Sequence, residues 1–405
     1  MIPNTPFRDR HLLPEGLVYL DGNSLGAATR DAVEAVRGAV DDWVAHRIEG
    51  WTEGNAPWLF LAERLGDRVG ALVGAAPGTV VATGSITVNL HQLLATLWDG
   101  RGRILVDSTA FPTDRYAIES HVRLRGLDPE QVVEAIASGP DGLLDDAAIV
   151  ARLSEFAVAV LPSVVYTTGQ LLEMGRITAA GRASGTLVLW DCAHSMGVVP
   201  HHFDRDGVDG AYWCHYKWCG AGPGAVGGLY LGPRHHGRAP GIAGWFGGRK
   251  EGLFRQGAPF DPADGAYGLQ TGTTHVFSLA ALDGSLRPIE EAGMEWIRSR
   301  SLALTDHLLL RAVSDLVPLG VGIATPRDRS RRGGHIALIH PAAGALCRAM
   351  RARGIVPDHR PPDHIRLAPS ALHNDVSDID RAIDAMADLL RSGVGNEPCA
   401  SGLVP

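Results

Sequence analysis

Between positions 79 and 231 short, wholly apolar runs alternate with helical patterns, and this alternation leaves few folds open. Runs that read as strands are 80–83, 104–107, 158–162, 187–191, 210–213 and 228–231. Amphipathic stretches at 115–125, 145–156 and 177–184 separate several of them. A strand that is apolar throughout must be covered on both faces, and parallel strands need a crossover segment between them. The pattern predicts an α/β fold with a mostly parallel sheet. Ligands of such sheets bind outside the carboxyl ends of the strands.

After about position 278 the pattern changes to long helices, 279–292 and 294–316. A mixed segment with a helix at 376–391 follows, which predicts a smaller α+β C-terminal domain. The expected division is an N-terminal segment, 1–30, packed with the small domain, then a large domain, 31–285. The small domain, 286–392, and a flexible Gly/Pro/Ser-rich tail, 393–405, complete it. A net charge of −8 argues against nucleic acid or an anionic membrane as partner. With 17 His and 37 Lys+Arg, a local pocket for a small anion stays open. No apolar run approaches the roughly 20 residues of a membrane span, and the first residues lack the apolar core of a secretion signal. Cys192, Cys214, Cys219, Cys347 and Cys399 are odd in number and without CxxC spacing, which indicates neither a disulfide framework nor a zinc site. A reduced, cytoplasmic protein without a metal is expected.

Four constellations sit at strand ends. Cys214-His215-Tyr216-Lys217-Trp218 leads through Cys219 into GAGPGAVGG. A lone lysine is ordinarily a solvated cation; at such a junction, desolvation would free its amine for a Schiff base. In LVLWDCAH the apolar run ends in Asp191, with His194 three residues on. Asp191 reads either as a helix cap beside a structural histidine or as the carboxylate that keeps a pyridine nitrogen protonated. The 26-residue step from Asp191 to Lys217 leaves room for one strand, as in a fold-type I pyridoxal-phosphate enzyme. Ser85, Ile86 and Thr87 follow a strand and open a helix, so they serve as caps or as a phosphate cradle. Phe111, in FPTD, is a core ring or one that stacks on a planar cofactor.

The motifs LDGNSLG (20–26), FPTD (111–114), WDCAHS (190–195), YK followed by GPG (216–224) and GWFG (244–247) stand in that order. Together they resemble the kynureninase family, over about residues 17–390. The resemblance implies a dimeric fold-type I enzyme holding pyridoxal 5'-phosphate in the large, cofactor-binding domain. It implies hydrolytic cleavage of kynurenine or a ring-substituted kynurenine, such as 3-hydroxykynurenine, to an anthranilate and L-alanine. By this resemblance Lys217 binds the cofactor covalently, Tyr216 is a phosphate contact and acid, and Asp191 pairs with the pyridine nitrogen. His194 and Phe111 lie against the ring with Asp114 nearby, and Thr168 lies near the cofactor. Ser85, Ile86 and Thr87 line the phosphate side. Trp245 and Thr273 reach the phosphate from the other subunit. Arg366, on its own residues a surface or structural arginine, clamps the substrate carboxylate, and Trp51, otherwise a core tryptophan, lines the aryl pocket.

Three stretches depart from the family pattern: Gly248 after GWFG, Thr274-His275 after Gly272-Thr273, and Trp218-Cys219 after Lys217. The last two lie close to the expected site and bear on the aryl substrate. The rival readings are a cysteine desulfurase or selenocysteine lyase of the same fold, an aminotransferase, and a non-catalytic cofactor-binding homologue. The first needs a mobile nucleophilic cysteine. Cys347 lies in a helical context and Cys399 in the tail.

Overall fold

The computed structural model describes residues 5–255 and 259–394. A short first strand, β1 (Val18–Tyr19), precedes the central sheet. The sheet consists of β2 (Val80–Ala82), β3 (Ile104–Asp107), β4 (Val133–Ile136), β5 (Val158–Pro162), β6 (Leu187–Asp191), β7 (Gly210–Cys214) and β8 (Gly227–Leu231). Its spatial order is β2-β8-β7-β6-β5-β3-β4. The run from β7 to β4 is parallel, and β8 is antiparallel to both of its neighbours. Every residue of β2, β3, β7 and β8 is buried, as the apolar runs require.

The edge strand β4 was not among the sequence-based strands. Its burial is uneven, and Glu134 points to Arg103 and Arg152. A strand with one polar, partly wetted face does not show a continuous apolar run. Two helices ahead of the sheet, α1 (Arg30–His46) and α2 (Leu61–Leu72), were also absent from the sequence reading. Helix α1 is capped by Thr29, whose hydroxyl accepts from Ala32 N at 3.1 Å. It lies against the long helix Val276–Ala292 so closely that a Cβ on Gly284 would stand 2.2 Å from the Asp31 carbonyl. Helices α3 (Ile86–Leu97) and α4 (Pro112–Leu124) begin beyond the carboxyl ends of β2 and β3.

A second apolar cluster gathers Leu304, Leu308, Ile336, Leu338, Ile365, Leu367, Ile379 and Met386. Its strands are β9 (Gly322–Ile323), β10 (Ile336–Ile339), β11 (Ile355–Val356), β12 (Asp358–Arg360) and β13 (His364–Leu367). Four of them form an antiparallel sheet ordered β12-β13-β10-β9, while β11 pairs in parallel with β1. The covering helix, Val376–Arg391, starts at a capping box built by Asp375 and Asp378. The chain after position 394, with most of the tail and Cys399, lies outside the described residues. Among the described residues no helix is long and apolar enough to cross a membrane, and no group of three or more His, Cys, Asp or Glu could hold a metal.

Candidate active site

Asp191 ends β6 and Lys217 stands three residues beyond the end of the adjacent parallel strand β7, so both lie at the ligand-binding edge. Asp191 is buried and accepts from Ala193 N at 2.8 Å. Asp114, in the first turn of α4, is buried beside it. Burial, with the Asp191 charge added, holds the Asp114 carboxyl well above the ordinary carboxylate range. Burial also raises Asp191, but the Lys217 charge opposes this. Of the two, Asp114 is raised the further.

The Lys217 amine donates to His194 Nε2 at 3.0 Å. Burial, and then Lys217, push the His194 imidazole well below its usual range, so it is the neutral acceptor and its buried Nδ1 is left without a partner. Trp218 donates from Nε1 to the His194 carbonyl at 3.2 Å, which fixes that residue from behind. The bulk of Trp218 fits because Gly334 faces it: a Cβ there would stand 2.9 Å from the indole. The Phe111 ring centre lies 5.8 Å from Lys217 Nζ, and 37% of this residue is exposed. Beneath the lysine, LDGNSLG supplies a backbone bond from Gly26 N to Tyr216 O at 2.7 Å. Tyr216 itself is half-buried, and burial raises its hydroxyl pKa.

One sequence signal was missed. Of the 37 basic residues only Lys217 and Lys250 are lysines. Lys250 is buried, ion-paired with Glu63 at 3.1 Å and set 4.1 Å from the Phe246 ring centre. A lysine held that way is engaged in the protein's own contacts, whereas Lys217 stands at the strand-end edge of the sheet.

In the small sheet, β13 carries Arg366, which is fully buried. Its guanidinium does not project freely. It pairs with the fully buried Asp358, donates from Nη1 to Tyr166 O at 2.9 Å and reaches Ser24 Oγ at 3.2 Å. Arg360 shares Asp358 at 3.0 Å. Tyr166 links the two sides, with its ring 5.2 Å from Phe111 and 6.2 Å from His194. Tyr166, Ser24, Asp358, Arg360 and His335 were not among the sequence candidates, because single polar residues at turns and strand starts carry no periodic signal.

The remaining candidates divide. Ser85 caps α3 and is exposed at its N-terminus, beside the first-turn amides of Ile86 and Thr87. Gly84, with φ of 55°, turns the chain into that helix. Helix-start amides have no intrahelical partner and favour an anion. Exposed Thr273 and the departing pair Thr274-His275 line a cavity of about 90 Å³ with Thr83 and Gly84, at this same end. Thr168 is buried, its hydroxyl accepting from Gln170 N at 3.2 Å. Trp245 is 51% exposed, and Gly248 adopts ordinary extended backbone. Trp51 is half-buried, packed on Trp58 at 5.6 Å and on Phe246 at 5.9 Å, so the structure joins it to the GWFG turn and not directly to Lys217. The donor set fits a phosphorylated pyridine aldehyde: an amine, a buried carboxylate, an exposed aromatic face and a helix N-terminus.

A lysine and a carboxylate on neighbouring strand ends of a mostly parallel sheet, with a small domain opposite, define a fold-type I pyridoxal-phosphate enzyme. A profile of class-V aminotransferases matches residues 18–332, and one described as the Kynureninase C-terminal domain matches 297–386. The kynureninases of Geobacillus thermodenitrificans and Bacillus anthracis are each 41% identical to the chain. These alignments cover 96% and 95% of this chain and 92% and 91% of the relatives. The chain belongs to the kynureninase family, and its cofactor is pyridoxal 5'-phosphate. Among solved structures, the apo cysteine desulfurase of Thermococcus onnurineus NA1 superposes with a TM-score of 0.80 at 17% identity, covering 96% of this chain and 99% of that one. The cystine C–S lyase C-DES, in complex with cysteine persulfide, reaches 0.80 at 20%, covering 92% and 98%. At these identities the likeness shows the shared fold. Cys347 is buried in the helix Ala343–Ala352, and burial pushes its thiol up to about 12, the opposite of a mobile nucleophilic thiolate.

Proposed function

We propose that this chain hydrolyses the Cβ–Cγ bond of kynurenine or a ring-substituted kynurenine, 3-hydroxykynurenine included, consuming water and releasing an anthranilate and L-alanine. The observation that carries the reading is Tyr166, whose carbonyl accepts from Arg366 and whose ring lies 6.2 Å from that of His194, the histidine bonded to Lys217, in a chain whose relatives are kynureninases. When bound, pyridoxal phosphate supplies the electron sink. Lys217 holds the cofactor and then carries the substrate α-proton on Nζ. Asp191, whose charged form Ala193 N and Lys217 favour against burial, would face the pyridine nitrogen and favour its protonated form. Phe111 would stack on the pyridine ring, and His194 would lie beside it. The α3 amides at Ser85, Ile86 and Thr87 hold the phosphate. Tyr216, whose phenol stays protonated, returns a proton to the alanine carbon.

Arg366 binds the substrate α-carboxylate and Thr168 lies near the cofactor, with Trp51 behind the GWFG turn on the aryl side. Trp245 and Thr273, both exposed in one chain, complete the phosphate site of a partner copy in a cytoplasmic homodimer. The test is to incubate purified holoenzyme with kynurenine, 3-hydroxykynurenine, cysteine, or an amino donor with a keto acid. Stoichiometric alanine and an anthranilate are expected from the first two. Sulfide from cysteine, or turnover only with a keto acid, would transfer the chain to a rival reaction, and a cofactor-loaded but inert protein would make it a binding homologue.

A further inference from the structure

Arg366 shares its face of the small sheet with a second polar side chain. The β10–β13 register sets Ala337 opposite Arg366, and His335 lies two residues back on the same face. His335 is fully buried, and neither ring nitrogen has a hydrogen-bond partner. The Tyr166 carbonyl is the backbone acceptor beside the ring; it already takes Arg366 Nη1 at 2.9 Å, and the imidazole meets it short of hydrogen-bond geometry. The His335 ring centre lies 5.9 Å from that of His194, which holds Lys217. From the other side the turn at Gly169, with φ of 73°, closes tightly: a Cβ there would stand 2.7 Å from His335 O and 3.3 Å from its Nε2. Burial and the nearby Arg366 and Lys217 charges keep the ring neutral, so it carries one N–H and one acceptor nitrogen.

The charge of Arg366 is already met by Asp358, and both are fully buried. A carboxylate arriving at a neutralised guanidinium gains little Coulomb energy and needs further donors, because its oxygens otherwise lose water without replacement. We propose that His335 is the second donor of the amino-acid carboxylate subsite, giving its N–H to one carboxylate oxygen while Arg366 takes the other. This rests on the reading of the substrate as an amino acid. It also gives a role to a buried imidazole whose contact with the Tyr166 carbonyl falls short of hydrogen-bond geometry.

The experiment titrates holoenzyme with L-alanine, which carries the carboxylate, and with ethylamine, which does not, following the cofactor absorbance. His335→Leu is expected to weaken alanine binding by about 10- to 100-fold and to leave ethylamine within about twofold. His335→Phe, which keeps the ring volume without the donor, should behave alike, and His335→Gln, with its amide N–H, should recover to within about fivefold of wild type. KM for kynurenine should rise more than kcat falls, with the thermal midpoint unchanged or higher in the apolar variants. Equal losses for alanine and ethylamine, or alanine binding within twofold in both apolar variants, would overturn the assignment. A wild type that binds alanine through His335 yet cleaves no kynurenine would instead refute the proposed reaction alone.

Discussion

Arg366 and Asp358 form a fully buried ion pair, and removing one member exposes what each contributes. Arg366→Ala should lower kcat/KM by about two to four orders of magnitude, since charge-assisted hydrogen bonds contribute roughly 1.5–3 kcal/mol each. It also leaves the buried Asp358 with Arg360 alone, at up to about 3–5 kcal/mol of stability. The double variant Arg366→Ala/Asp358→Ala should regain much of the stability and none of the activity. Activity within about threefold of wild type in Arg366→Ala would make the arginine purely structural. Asp21 gives a pH signature. Burial, with the Asp358 charge added, raises its carboxyl from 3.8 to about 6. Between those values the folded chain holds a proton that the unfolded chain has lost, so stability is greatest below 3.8 and falls as pH rises through 6. Asp21→Asn should therefore gain about 1–3 kcal/mol at pH 8 and nothing near pH 3.5. Melting curves at the two pH values check this, and a gain independent of pH would refute it.

At the scale of elements, LDGNSLG is a floor beneath the lysine loop. A Cβ on Gly26 would stand 2.2 Å from the Lys217 carbonyl and 2.6 Å from Gly220 Cα. Gly26→Ala should cost about 1–3 kcal/mol and weaken cofactor retention by displacing Lys217. A melting point and cofactor spectrum equal to wild type would show that the contact yields without effect. The strand ends that carry Asp191 and Lys217 were legible in the sequence because both-face burial writes continuous apolar runs ending in polar residues. β4 was not, since Glu134 interrupts its run, and α1 was not, because its outward face retains Trp43 and Val44 and blurs the amphipathic period. Asp358, Ser24 and Tyr166 were illegible for another reason: they meet Arg366 only through tertiary pairing of segments up to 342 positions apart. The two-lysine composition was readable and points straight to Lys217.

Across the whole molecule, large aromatic side chains remain on the surface: Trp43 is 56% exposed, Trp245 51% and Phe254 73%. Exposed aromatic surface of this kind marks an interface, in keeping with a site finished by a second copy. Sedimentation of active holoenzyme should give twice the chain mass, and Trp245→Ala should weaken cofactor binding while the fold persists; an active, loaded monomer would contradict the shared site. Borohydride reduction of the holoenzyme followed by peptide mapping tests the Lys217-centred site most directly, because two lysines make the outcome binary. The reduced cofactor should be found on the peptide containing Lys217 alone, and Lys217→Ala should lose both the label and kynurenine turnover. Label on Lys250, or wild-type turnover by Lys217→Ala, would contradict it.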